Sequence, residues 1–129
     1  MSRSENAIFN VLEMGSVTLL KQAIDANVDL NVKNRDSSTP LISAINYRQF
    51  DCVQELLAAK VNLEATNRSG QTALIVAASR GLAGFIKVLI DANASLHARD
   101  NEGLTALMSA AKLGQVACTK LLINVNSRS

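Results

Sequence analysis

The chain has 129 residues, 48% of them hydrophobic, and a formal charge of +2. That length fits one domain-sized object, the charge is too small to imply a polyanionic partner, and no apolar run approaches the ~20 residues of a membrane span. The aromatic share is only 3%, so a core must be built from Leu, Ile, Val and Ala in many thin contacts.

The start, Met1-Ser2-Arg3-Ser4-Glu5, is polar, and no signal-type apolar block follows it. Residues 1–5 are expected to be disordered, and the protein to be intracellular and soluble, in the cytoplasm with the nucleus also open to it. From Asn6 to Gly15 runs a weak copy of a decapeptide. Clear copies follow as Thr39-Pro40-Leu41-Ile42-Ser43-Ala44-Ile45-Asn46-Tyr47-Arg48, Thr72-Ala73-Leu74-Ile75-Val76-Ala77-Ala78-Ser79-Arg80-Gly81 and Thr105-Ala106-Leu107-Met108-Ser109-Ala110-Ala111-Lys112-Leu113-Gly114. Their spacing is thirty-three residues, and a fixed period of that size marks a repeat architecture.

Each copy reads as a short helix. Thr39, Thr72 and Thr105 precede apolar runs and serve as N-caps. Pro40 follows at the first helical position, where its missing N–H costs nothing. Leu74, Ala77 and Ala78 share one helical face, and Gly81 and Gly114 stand where a left-handed residue ends a helix. A second helix follows in every unit, with Leu20, Ala23 and Ile24, then Val53, Leu56 and Leu57, then Ile86, Leu89 and Ile90, then Thr119, Leu122 and Ile123 on matching faces. After it comes a polar stretch such as Asn93 to Leu104, with turn residues Asn93 and Gly103. It is expected to form an extended, hairpin-like finger.

This pattern resembles the ankyrin repeat. The family's motif, Gly-x-Thr-Pro-Leu-His-x-Ala-Ala-x-x-Gly, is matched by Gly103, Thr105, Leu107, Ala110, Ala111 and Gly114. The resemblance runs from about Asn6 to Asn126 and implies four repeats, 6–38, 39–71, 72–104 and 105–129. The implied fold is an all-α repeat solenoid of paired antiparallel helices joined by hairpin-like fingers.

Ser37, Arg48 and Lys60 stand where the family prefers glycine. A non-glycine left-handed residue costs about 1–2 kcal/mol unless it is Asn or Asp, and Asn27, Asn93 and Asn126 take the last of these places in the other units. The family's histidine after Leu is replaced by Ile42, Ile75 and Met108. These three are either buried between repeats or form an apolar stripe. Cys52 and Cys118 lie sixty-six residues, two repeats, apart. Packed helices sit ~8–10 Å apart, so the pair is beyond the ~7 Å reach of a disulfide and is read as free, buried thiols. The last helix carries Val116, Leu121, Leu122, Ile123 and Val125. It looks internal, as if the array continued or the open end packed on another chain.

No catalytic constellation is present. The single histidine, His97, has no partner at a meaningful spacing, no Gly-Lys-Ser/Thr follows any glycine, and no cofactor or metal is implied. Nucleic-acid binding would need a basic face with stacking aromatics, whereas the basic residues here are interspersed with Asp36, Asp100 and Glu102. The resemblance implies a non-catalytic protein–protein interaction module, an adaptor or scaffold. Its alternatives are a small stand-alone inhibitor that occludes a partner, or a fragment that self-associates through the C-terminal repeat. It also implies a concave groove of fingers and first helices. Carried over by position, that groove holds Glu13 and Met14 from unit 1, and Arg35, Asp36, Ser38, Asn46 and Tyr47 from unit 2. It holds Arg68, Ser69, Gln71, Ser79 and Arg80 from unit 3, and Asn101, Glu102, Leu104, Lys112 and Leu113 from unit 4. Tyr, Trp and Arg dominate interface energetics, so the only tyrosine and its neighbouring arginines point to a partner with an apolar anchor and acidic side chains. Some ankyrin proteins are hydroxylated at a finger asparagine, a place taken by Asn31 and His97.

Overall fold

The computed structural model describes the backbone of residues 3–126 and the side chains of residues 7–126. Within that span every regular element is an α-helix: α1 (Arg3–Met14), α2 (Val17–Asp25), α3 (Pro40–Asn46), α4 (Phe50–Ala58), α5 (Ala73–Ser79), α6 (Ala83–Asp91), α7 (Ala106–Lys112) and α8 (Val116–Asn126). Consecutive helices pair, and the pairs stack. The odd-numbered helices pack in the order α1, α3, α5, α7, and the even-numbered ones in the order α2, α4, α6, α8. The result is an ankyrin-type solenoid without strands among the described residues.

The threonines cap as their positions require. Thr39, Thr72 and Thr105 are extended, and their hydroxyls accept from the backbone N–H of Ile42, Ile75 and Met108 at 3.2, 3.3 and 3.3 Å. Each such cap contributes about 1 kcal/mol. α1 begins at Arg3, upstream of Asn6. Arg3, Ser4 and Glu5 of the polar start form its first turn, while Met1 and Ser2 lie outside the described residues.

Left-handed residues punctuate the chain at a constant register. Gly15, Arg48, Gly81 and Gly114 follow the first helices, Asn27, Lys60 and Asn93 follow the second, and Ser37, Gly70 and Gly103 turn the fingers, all with φ between 59° and 80°. Ser37, Arg48 and Lys60 therefore do adopt the backbone that glycine would favour. Asn126 does not: it lies inside α8, which runs 11 residues where α2, α4 and α6 run 9. In the other units the N–H after the left-handed residue, on Val28, Val61 or Ala94, bonds back to the carbonyl of Ala23, Leu56 or Leu89. Those residues also add an apolar contact that anchors the reversal. The residue in that column of the last unit is the polar Ser127.

Burial follows the columns of the repeat. Ile42 and Ile75 are 0% and 1% exposed, so burial between neighbouring pairs replaces the family's histidine; Met108, in the same column, is 42% exposed. Each fully covered isoleucine contributes about 1.5–3 kcal/mol. Small residues allow the pairs to approach: Ala44, Ala77, Ala78 and Ala110 are fully buried. Polar side chains complete two junctions. The Gln49 amide lies over Gly15 and donates to the Glu13 carbonyl at 3.4 Å, and the Gln115 amide lies over Gly81 and donates to the Ser79 carbonyl at 3.0 Å. At the middle junction Leu82 holds the glutamine's place, and the residue matching Gly15 and Gly81 there is Arg48 rather than glycine.

Two substitutions test this account. An added Cβ at Gly70 (φ +75°) would overlap the Asn101 side-chain oxygen and stand 2.9 Å from the Asn101 backbone nitrogen, whereas one at Gly103 (φ +80°) meets nothing within 4 Å. Gly70→Ala should cost more stability than Gly103→Ala, which carries only the backbone strain of about 1–2 kcal/mol. In the other direction, Lys60→Gly removes strain at φ 63° and should stabilise by roughly 0.5–1 kcal/mol. Urea unfolding of the three variants measures all of these; equal losses at the two glycines would contradict the close approach of Asn101.

Candidate functional site

The fingers are closed by one polar side chain each. Asn34 Oδ1 accepts from the N–H of Asp36 (2.9 Å) and Ser38 (3.0 Å). Asn67 Oδ1 accepts from Ser69 and Gln71, both at 3.0 Å. Asp100 Oδ1 accepts from Glu102 and Leu104, both at 2.9 Å. Each finger is also bridged by backbone, as in Asn67 N–H to the Gln71 carbonyl and Gly70 N–H to the Asn67 carbonyl. These bonds give the three tips one conformation, so residues 35 and 36, 68 and 69, and 101 and 102 occupy equivalent places.

Neighbouring fingers are then tied together. Arg68 Nη2 donates to the Arg35 carbonyl at 2.9 Å, and Asn101 Nδ2 donates to the Arg68 carbonyl at 3.1 Å. The Asn101 N–H reaches the Ser69 carbonyl at 3.0 Å, and Lys33 Nζ reaches the Thr66 carbonyl at 2.7 Å. Arg68 and Asn101, both placed in the expected groove, thus use their side chains on the chain's own backbone. Below the fingers Asn31 Oδ1 accepts from Asn62 N–H at 3.1 Å, and Glu64 Oε2 from Ser95 N–H at 3.0 Å. His97, in the same column, is exposed, and its N–H donates to Ser95 Oγ at 3.3 Å.

The first helices add a second row. Met14, Tyr47, Arg80 and Leu113 occupy the last place before the left-handed residue, and Tyr47, Arg80 and Leu113 share near-identical backbone, with φ −83°, −91° and −93°. Because Arg48 takes the left-handed conformation at φ 59°, the missing glycine leaves Tyr47 aligned with Arg80 and Leu113. Met14, Tyr47 and Leu113 are 64%, 45% and 56% exposed, and Arg80 is also exposed. Arg35, Arg48 and Arg80 make no side-chain hydrogen bond or ion pair among the described residues. Lys112 and Glu102 pair at 3.4 Å, both more than half exposed, a contact that contributes little to stability.

Hollows lie beside the fingers. One of ≈ 160 Å³ is lined by Gln71, Ser79, Asp100, Glu102, Leu104, Ser109, Lys112 and Leu113. It gathers six residues that the sequence places in the groove, and adds Asp100 and Ser109, which the motif alone does not single out. The signal for Ser109 was its column, shared with Ser43 and Val76. A second hollow of ≈ 340 Å³ lies among Phe9, Asn10, Asn34, Arg35 and Asp36. The Asn46 side-chain oxygen is buried without a hydrogen-bond partner. No cluster of three or more His, Cys, Asp or Glu that could hold a metal occurs among the described residues, and none of their helices is long and apolar enough to cross a membrane.

The family model for ankyrin repeats (three copies) matches residues 7–100 and again 55–129. The chain belongs to the ankyrin-repeat family. Ankyrin repeats form a non-catalytic scaffold that generally mediates protein–protein interaction. No curated protein matches the chain.

The thiols of this ankyrin-repeat chain are free and buried. Burial pushes Cys52 above the ordinary thiol pKa, with the charges of Asp51 and Glu55 adding to it, and burial alone raises Cys118. A raised folded-state pKa favours the neutral thiol in the folded chain. Stability is therefore fully present below the unfolded thiol pKa, about 8.5, and declines as pH rises above it. The Cys52→Ala/Cys118→Ala variant should lose less stability between pH 8 and pH 10 than the wild type does, in urea unfolding at each pH. Parallel curves would contradict the assignment.

Proposed function

We propose that the chain is a four-repeat ankyrin module, with repeats 6–38, 39–71, 72–104 and 105–129, that works as an intracellular adaptor or scaffold. Its partner is a protein or peptide segment lying along the row of Met14, Tyr47, Arg80 and Leu113 and against the fingers.

The observation that carries this reading is the alignment of that row. Four large side chains stand exposed at one place in successive helix pairs, held there by left-handed residues that include the strained Arg48. A structural role does not demand a large apolar or aromatic residue there. The chemistry supports a partner that brings an apolar side chain to Leu104 and Leu113 and carboxylates to Arg35 and Arg80, whose guanidinium groups are not spent inside the chain. Hot spots of this kind are enriched in Tyr and Arg and cluster where water is excluded. Arg68 and Asn101 act in this reading by holding the fingers at fixed spacing, with their side chains turned to backbone carbonyls.

The test is capture from a source-cell lysate with the wild type and the Tyr47→Ala/Arg80→Ala variant side by side. Both residues are exposed, so the variant should keep its helicity and melt within about 0.5 kcal/mol of the wild type. Partners held by the wild type should be lost. If both baits recover the same proteins, another face does the binding.

A further inference from the structure

We propose that copies of this chain stack head to tail, the exposed face of α1 and α2 in one copy seated on the exposed face of α7 and α8 in the next. The occupant of this surface is a second copy of the same chain.

The columns of the repeat identify the two faces. Met108 is 42% exposed while Ile42 and Ile75 are 0% and 1%; Ala111 is exposed while Ile45 and Ala78 are fully buried; and Ile123 is 53% exposed while Leu57 and Ile90 are partly buried. Residues uncovered only in the last helix pair are those that, in earlier pairs, face the pair that follows. The converse set appears at the other end. Leu19 is 39% exposed while Cys52, Phe85 and Cys118 in its column are 1%, 7% and 1%, and Asn10 is exposed where Ser43, Val76 and Ser109 are 4%, 3% and 3%. Those residues face the pair that precedes.

The chain makes one interface three times internally, and the two halves of that interface are left uncovered at opposite ends among the described residues. Stacking a second copy continues it with the same partners: Leu19 takes the place of Cys52, Phe85 and Cys118, opposite the surface of Met108 and Ile123. Terminal repeats need a polar outer face to stay apart, and neither face is polar throughout. A contact of this kind joins two different patches, so it grows open chains rather than closing as a dimer. Asn10 is more polar than Ser43, Val76 and Ser109 in its column, which makes this contact weaker than the internal junctions and visible only at high protein concentration.

Sedimentation equilibrium of the full chain across a concentration series tests the idea, together with Leu19→Glu and Ile123→Glu. Both positions are exposed in a single copy, and circular dichroism should show native helicity for each variant. The wild-type average mass should rise with concentration without levelling at a dimer. Each variant alone should stay monomeric, because one of its two faces is blocked. An equimolar mixture should form a dimer, since the intact α7–α8 face of Leu19→Glu meets the intact α1–α2 face of Ile123→Glu. A wild type that stays monomeric, or a natively helical mixture that does, overturns the proposal. Self-association of Leu19→Glu alone overturns it too, in favour of symmetric pairing of α7–α8 faces.

Discussion

A pair of short helices has two broad faces and can cover neither of them by its own packing, and the rest of this structure answers that constraint. The first helices α3, α5 and α7 are seven residues each, well below the length at which a helix persists alone in water. Ile42 and Ile75 vanish from solvent because another pair follows them, while Met108, in the same register, does not. Stability in such an array is a sum of repeat and nearest-neighbour terms. The junctions, more than any single repeat, therefore hold the molecule together.

Much of this was legible in the sequence because it depends on local chemistry repeated at one period. Thr39, Thr72 and Thr105 announced the helix starts, and the glycines and Asn27 and Asn93 announced the reversals. Ser37, Arg48 and Lys60 could be placed in left-handed backbone by register alone, although nothing in their side chains favours it. The free thiols followed from spacing. What stayed hidden depends on contacts across a repeat. Arg68 resembles a hot-spot residue in sequence, and only its reach to the Arg35 carbonyl shows that it braces a finger. The glutamines at 49 and 115 carried no signal until they were seen over Gly15 and Gly81. Whether Ile42, Ile75 and Met108 form a stripe or a core turned on neighbours, so one apolar column has two fates. The length of α8 was also hidden: it runs to Asn126, where register alone placed a left-handed residue.

The same division bears on function. The residues that close and brace the fingers are spent on the backbone, which leaves the tips rigid and equivalent. A rigid, repeated display lowers the entropy lost when a partner is bound. The side chains left over, Met14, Tyr47, Arg80 and Leu113 with the guanidinium groups of Arg35 and Arg48, differ from unit to unit while their backbone does not. Constant scaffold with variable display is how one fold serves many partners.

The account rests on junction burial, and amide hydrogen exchange by residue tests that most directly. Pairs covered on both sides should be protected most, so the amides of α3 through α6 should exchange slowest. Those of α7 and α8 should exchange at least about tenfold faster, in keeping with a gradient of local opening. Uniform protection from α1 to α8, or α8 as the slowest element, would contradict the claim that each pair owes its stability to the pairs on either side.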